Sequence, residues 1–192
     1  MIYKLDGNWK AGVAYDLHTL SSEYLGQDEY GHDRYNNTRS EMGEFVYQLK
    51  YQHDETVVGK IVDLLQDING LKTIEVIIPI PPSNKNRISQ PVFSIASELG
   101  KRLKILVYLD FLAKTNKAEE LKGIEEQEKR IGILEKTMFI ENNYDLADKK
   151  ILLIDDLYRS GSTLKVATNL LYNKTKAKDV YVLTMTKTRS NR

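Results

Sequence analysis

From Thr73 onward the chain alternates short β-branched apolar runs with amphipathic stretches. Ile74–Ile80, Ile151–Ile154 and Val180–Met185 read as buried strands, with shorter strands over Leu106–Leu109 and Met138–Ile140. Between them Val92, Ile95, Ala96 and Leu99 recur at helical spacing over Val92–Leu103, and a second helical pattern covers Thr163–Tyr172. Apolar strands alternating with amphipathic helices predict an α/β fold: a mostly parallel sheet flanked by helices on both faces. Ahead of this series two helices are expected. One is capped by Ser40, carries Glu44 in its first turn and buries Phe45, Val46 and Leu49. The other places Val57, Val58, Ile61, Val62, Leu65 and Ile68 on one face and stops at Asn69-Gly70. The opening residues lack helical periodicity. Gly12–Leu20 reads as a strand and Gln27–Asn37 as a polar turn region, so residues 1–38 are expected to form a small N-terminal hood of short strands and residues 39–192 the core.

Composition narrows the class. At 192 residues and 41% hydrophobic content, one domain with a real core is expected. A net charge of +1 gives no global attraction to nucleic acid or to an anionic membrane. The absence of Cys excludes disulfides, thiol catalysis and cysteine zinc sites, and fits a cytoplasmic protein. The opening MIYKLDGNWK has no signal-peptide apolar run, and no stretch approaches the ~18 apolar residues of a membrane helix.

The chemistry concentrates in ILLIDDLYRSGSTL, residues Ile151–Leu164. Asp155 and Asp156 follow four apolar strand residues. Arg159, Ser160, Gly161, Ser162 and Thr163 then open a helix. Free backbone N–H groups at a helix start favour a phosphate, a glycine lets the backbone come close, and hydroxyls add donors. The carboxylates can accept hydrogen bonds from sugar hydroxyls or hold Mg²⁺ through water. A plain capped turn would use the same residue types singly but does not account for the ordered set. Neither the GxxxxGK[ST] nor the GxGxxG spacing is present. A second loop, Pro79–Arg87, offers Ser83, Asn84, Lys85 and Arg87 just after a predicted strand, a donor set suited to a diphosphate. Both segments fall at carboxyl ends of strands, where parallel sheets bind ligands.

Ile151–Leu164 resembles the 5-phosphoribosyl 1-diphosphate (PRPP) motif of type I phosphoribosyltransferases: four apolar residues, two acids, two variable residues and a hydroxyl-Gly-x-Thr loop. Pro79–Arg87, written IPxPxxxxxR from Ile78, resembles the ComF-like branch, as do Gly43–Asp54 with its Leu-Lys-Tyr and the strand Val180–Arg189. The resemblance spans about Arg39 to Arg189. It implies that Asp155 and Asp156 hold the ribose hydroxyls, with Mg²⁺ held indirectly, and that Arg159–Thr163 cradle the 5-phosphate. It further implies that Ser83, Asn84, Lys85 and Arg87 meet the diphosphate. The implied activity is transfer of ribose 5-phosphate from PRPP to a small nitrogenous acceptor, with Mg²⁺ as cofactor; a homodimer follows by analogy alone. The alternative is a non-catalytic PRPP or nucleotide sensor, or a component of nucleic-acid handling. The chain departs from the ComF-like pattern in lacking the cysteine zinc ribbon and in reading Ile88-Ser89-Gln90 after Arg87.

Ala113–Lys136 is dense in charge and reads chiefly as a solvated face, although its place between strands matches the loop that closes over PRPP in the family; Lys114, Lys117, Lys122 and Arg130 are the cations that could reach a diphosphate. Tyr3, Tyr15, Tyr24, Tyr30, Tyr35, Tyr47 and Tyr51 are expected mostly to pack the hood onto the core, though each could stack on an acceptor base. His18, His32 and His53 have no metal-ligand spacing, and Arg39 reads as a structural contact.

Overall fold

The structure is a computed structural model that describes residues 1–82, 90–115 and 127–189. The chain runs β1 (Tyr3–Lys4), β2 (Ala11–Leu17), β3 (Thr19–Gln27), β4 (Asp33–Arg39), α1 (Glu41–Tyr47), a π-helical turn (Gln48–Gln52) and α2 (Val57–Leu65). It continues through β5 (Val76–Pro79), α3 (Pro91–Leu103), β6 (Leu106–Val107), β7 (Leu112–Lys114), α4 (Gln127–Thr137), β8 (Met138–Ile140), β9 (Lys150–Tyr158), α5 (Ser162–Thr175) and β10 (Asp179–Lys187).

Six strands form the main sheet in the order β1-β2-β10-β9-β5-β6. Every neighbouring pair is parallel except β1 with β2. Side chains alternate across a strand, and β9 shows the result. Ile151 and Leu153 join a core with Leu164, Val166, Ala167 and Leu171 of α5. Leu152 and Ile154 join the opposite core with Met42, Val46, Ile61, Ile95 and Leu99 of α1, α2 and α3. The predicted mostly parallel α/β sheet covered on both faces is therefore present.

Short N-terminal strands are present too, in two places. β1 and β2 extend the main sheet beyond β10, with Ala14 fully buried. β3 and β4 form a separate antiparallel ribbon, exposed along most of its length. One expected member of the sheet series belongs elsewhere. Met138–Ile140 pairs antiparallel with β7, apart from the main sheet. A three-residue apolar run shows extended backbone but not its partner. The charged segment is also less solvated than its composition implies: Ala113, Lys114 and Leu134 are buried.

Candidate active site

The strand order reverses between two neighbours. β5 leads through α3 to β6 on one side, and β9 leads through α5 to β10 on the other. Such a reversal marks the carboxyl ends of the two strands as the place where open α/β sheets bind ligands. β5 stops at Pro79, and the Ile80 N–H donates to the Ile154 carbonyl at 2.9 Å. β9 runs four residues further, to Tyr158, paired with β10. Asp155 and Asp156 thus stand just past the end of β5, on backbone held from one side only.

Strand alternation sends the two carboxylates to opposite faces. Asp156 forms an ion pair with Lys50, which the π-helical turn after α1 delivers. Burial would pull the Lys50 ammonium down, but the Asp156 charge and hydrogen bond, with help from Tyr51 and Asp155, lift it above the usual lysine value. Asp155 turns toward β7. Among the described residues its hydrogen-bond donor is the Asp156 amide, at 2.9 Å. Burial and the Asp156 charge push its carboxyl up to about 7, against the pull of Lys114, the Asp156 amide and Lys50. Lys114, only 4% exposed, donates from Nζ to the Pro81 carbonyl at 2.9 Å. Burial lowers its pKa, while Asp155 and Asp156 oppose the drop.

The loop after β9 leads into α5 at Ser162. Arg159 is exposed, and the Ser160 and Ser162 hydroxyls lie 2.9 Å apart. Gly161 has φ 74, and a Cβ there would fall 2.7 Å from the Tyr158 ring, so geometry and space both call for glycine. The first intrahelical bond of α5 runs from the Lys165 N–H to the Gly161 carbonyl, at 2.9 Å. The amides of Ser162, Thr163 and Leu164 lie ahead of it and have no carbonyl within the helix to bond. The macrodipole adds partial positive charge at the same end. Ser83, Asn84, Lys85 and Arg87 lie outside the described residues, as do Lys117, Lys122 and the side chain of Arg130.

Three further groups belong to this neighbourhood and are not apparent as site residues from the sequence. Lys50 is the first; it sits four residues after Val46 and eight after Met42, on the buried stripe of α1, and a lysine on an apolar stripe is a usable signal. His18 and Thr186 are the others. Thr186 Oγ1 donates to the Asp156 carbonyl at 3.1 Å and lies 3.2 Å from His18 Nδ1. Burial and then the Arg39 charge lower the His18 pKa, with Lys50 adding to the drop and Asp156 opposing it. No local pattern marks either residue, because β2 and β10 meet only in the folded sheet.

No family model matches the sequence, and no curated protein matches it. Among solved structures, hypoxanthine phosphoribosyltransferase from Staphylococcus aureus is similar at TM-score 0.44 and 20% identity, over 72% of this chain and 67% of that one. A Trypanosoma cruzi hypoxanthine phosphoribosyl transferase is similar at TM-score 0.45 and 11% identity, over 78% of this chain and 68% of that one. Values this low transfer neither a substrate nor a residue role.

The donor set also bears on a divalent cation. Among the described residues no cluster of three or more His, Cys, Asp or Glu is arranged to hold a metal. Asp155, under-compensated beside a second carboxylate, suits Mg²⁺ that arrives with a polyphosphate and keeps most of its water, rather than one bound in an all-protein cage.

Proposed function

We propose that this chain is a PRPP-dependent phosphoribosyltransferase of the type I, ComF-like kind, with residues 1–38, which include most of the β3–β4 ribbon, as its hood and residues 39–192 as its core. The observation that carries the reading is the coincidence, at the reversal of strand order, of an acidic pair with a helix start six residues beyond Asp156 whose first amides have no partner within the helix. Ser160, Gly161, Ser162 and Thr163, with the α5 amides, bind the 5-phosphate, and Arg159 flanks it. Asp155 and Asp156 face the ribose hydroxyls. Ser83, Asn84, Lys85 and Arg87 hold the diphosphate. Mg²⁺ bound with PRPP supplies charge stabilisation to the leaving diphosphate.

In the reaction the bond from ribose C1 to the diphosphate oxygen breaks, and its electron pair leaves with diphosphate. A nitrogen lone pair of the acceptor forms the new bond to C1, and the acceptor's N–H proton passes to a base. Asp155 is the better base of the two, because its carboxyl titrates near neutrality whereas Asp156 is held by Lys50. The protein otherwise works by placement and by stabilising charge. The Lys50–Asp156 pair, which engages one carboxylate, also favours a second reading: a PRPP sensor without turnover.

The test is calorimetry with PRPP and Mg²⁺ on Asp155→Ala and Asp156→Ala, alongside far-UV circular dichroism. Binding should fall below detection in both variants while the fold is kept. Wild-type affinity in both would remove the proposal. Diphosphate release in the presence of nucleobases separates transferase from sensor.

A further inference from the structure

Near the start of the chain, residues 5–12 close around the one tryptophan of the sequence. A Cβ on Gly7 or on Gly12 would fall 2.4 Å from the Trp9 ring, so the indole leaves room for nothing larger than glycine at either position. Its Nε1–H donates to the Leu5 carbonyl at 2.8 Å, and the Leu5 N–H donates to the Gly12 carbonyl at 2.8 Å. The segment is also fastened to the core. The Lys10 N–H donates to the Val180 carbonyl of β10 at 2.8 Å. Asn8 Nδ2 donates to the Lys165 carbonyl at 2.9 Å and to Asn169 Oδ1 at 2.7 Å, both on α5.

Trp9 reaches the loop after β9 through one side chain. Its ring stands edge-on to the Tyr158 ring, with centroids 6.5 Å apart and planes at 87°. Both residues are buried. The phenol end of Tyr158 lies in turn against Gly161, where a Cβ would fall 2.7 Å from Cε2 and 2.8 Å from the hydroxyl oxygen. The Tyr158 backbone is held as well, because the Thr188 N–H donates to its carbonyl at 3.0 Å. Among the described residues the Tyr158 hydroxyl has no hydrogen-bond partner, so what this side chain gives the loop is bulk. Two rings thus fill the space behind Gly161, the left-handed residue at which the loop turns into α5. That turn decides where the amides of Ser162, Thr163 and Leu164 point. Donors grip an anion well only when packed neighbours hold them close to the right geometry.

We infer that Trp9 and Tyr158 are positioning residues for the 5-phosphate. The indole fixes the phenol ring, the ring sets the turn at Gly161, and the turn aims the amides that hold the anion. This rests on the phosphoribosyltransferase reading and adds to that site a support drawn from the opening residues of the chain. Neither ring touches the ligand; both act through Gly161.

The experiment is calorimetry with ribose 5-phosphate, and separately with Mg²⁺ and diphosphate, on the wild type, Tyr158→Leu, Tyr158→Phe, Trp9→Leu and the double variant Trp9→Leu/Tyr158→Leu, with thermal melts to show that each is folded. Leu171→Ala is the control, since it opens a cavity in the same core ten residues along the chain from Gly161 and so lowers stability without touching the turn. Tyr158→Leu should weaken ribose 5-phosphate about tenfold, the equivalent of about 1.4 kcal/mol. Trp9→Leu should weaken it about fivefold and the double variant no more than about tenfold, because both rings act through one turn. Tyr158→Phe, which keeps the ring, and Leu171→Ala should stay within about twofold, and diphosphate affinity should not move in any variant. Where a leucine variant does not fold, Tyr158→Met or Trp9→Phe replaces it, with the same expected direction. Ribose 5-phosphate affinity that is unchanged in Tyr158→Leu, or that falls as far in Leu171→Ala, would overturn the inference. So would a tenfold loss in Tyr158→Phe, which would make the hydroxyl itself a ligand. A wild type that binds no ribose 5-phosphate would instead bring down the underlying reading, and this inference with it.

Discussion

Asp155 and Asp156 are neighbours in the chain with the same side chain and different electrostatic situations. A strand turns them to opposite faces, Lys50 meets one, and burial beside that charge leaves the other short of compensation. The sign of the resulting pH effect is fixed. Asp155 titrates near about 7 in the native protein, against about 3.9 in an unfolded chain. The native state thus holds this proton more tightly. Its contribution to stability is full below pH about 4, falls as pH rises toward 7, and is then lost. Asp155→Asn removes the titration while keeping the shape of the protonated acid. The melting temperature of the wild type minus that of Asp155→Asn should decrease between pH 4 and pH 8, and thermal scans across that range check it. A difference that stays flat would show that the carboxyl titrates normally. The acidic pair itself was legible in the sequence, because two carboxylates between an apolar strand and a hydroxyl-rich loop need explaining. Its two lysines were less so. Lys114 sat inside a charged run that composition assigns to solvent, yet it is 4% exposed and bonded to the Pro81 carbonyl.

At the level of elements, local chemistry placed most boundaries well. Ser40 accepts from the Gly43 N–H at 2.9 Å, as its position before Glu41 and Glu44 suggests, and its hydroxyl also donates to the Leu17 carbonyl. That second bond ties the start of α1 to the end of β2. Gly43 is required there, because a Cβ would fall 2.2 Å from the His18 carbonyl oxygen. Ser40→Ala should therefore cost about 1–2 kcal/mol, toward the upper end for a cap, since it loses a buried acceptor and donor together. Urea denaturation checks this, with an unchanged m-value showing that the unfolded state is unaffected. Two features were not legible at this scale. β9 runs to Tyr158 because β10 pairs with it that far, whereas the apolar run alone ends at Ile154. The turn after α1 widens to a π-helix over Gln48–Gln52, which brings Lys50 to Asp156.

Across the whole molecule, stability and site rest on the six-stranded sheet and its two flanking cores, and the β3–β4 ribbon contributes little to either core. Its strands are exposed along most of their length, with Leu20, Tyr24, Leu25 and Tyr35 open to solvent. Replacing residues 22–37 by an Asn-Gly turn joins Ser21 to Thr38, which are already paired. The melting temperature should change by less than about 4 °C, roughly 1 kcal/mol or less. A larger loss, read by calorimetry, would mean that the ribbon supports the core.

The sequence by itself determined the main core strands and helices, their alternation and the hydroxyl- and glycine-rich turn after β9. Those are local properties: apolar period, capping groups and the left-handed geometry that Gly161 supplies. Tertiary structure alone decided what each strand pairs with, that β2 flanks β10 while β8 leaves the main sheet, and that Lys50 and His18 gather around an acidic pair more than a hundred residues away. The physical reason is that pairing and burial are long-range choices among many compatible surfaces. A lysine's partner is settled only when the sheet brings two distant segments to the same end.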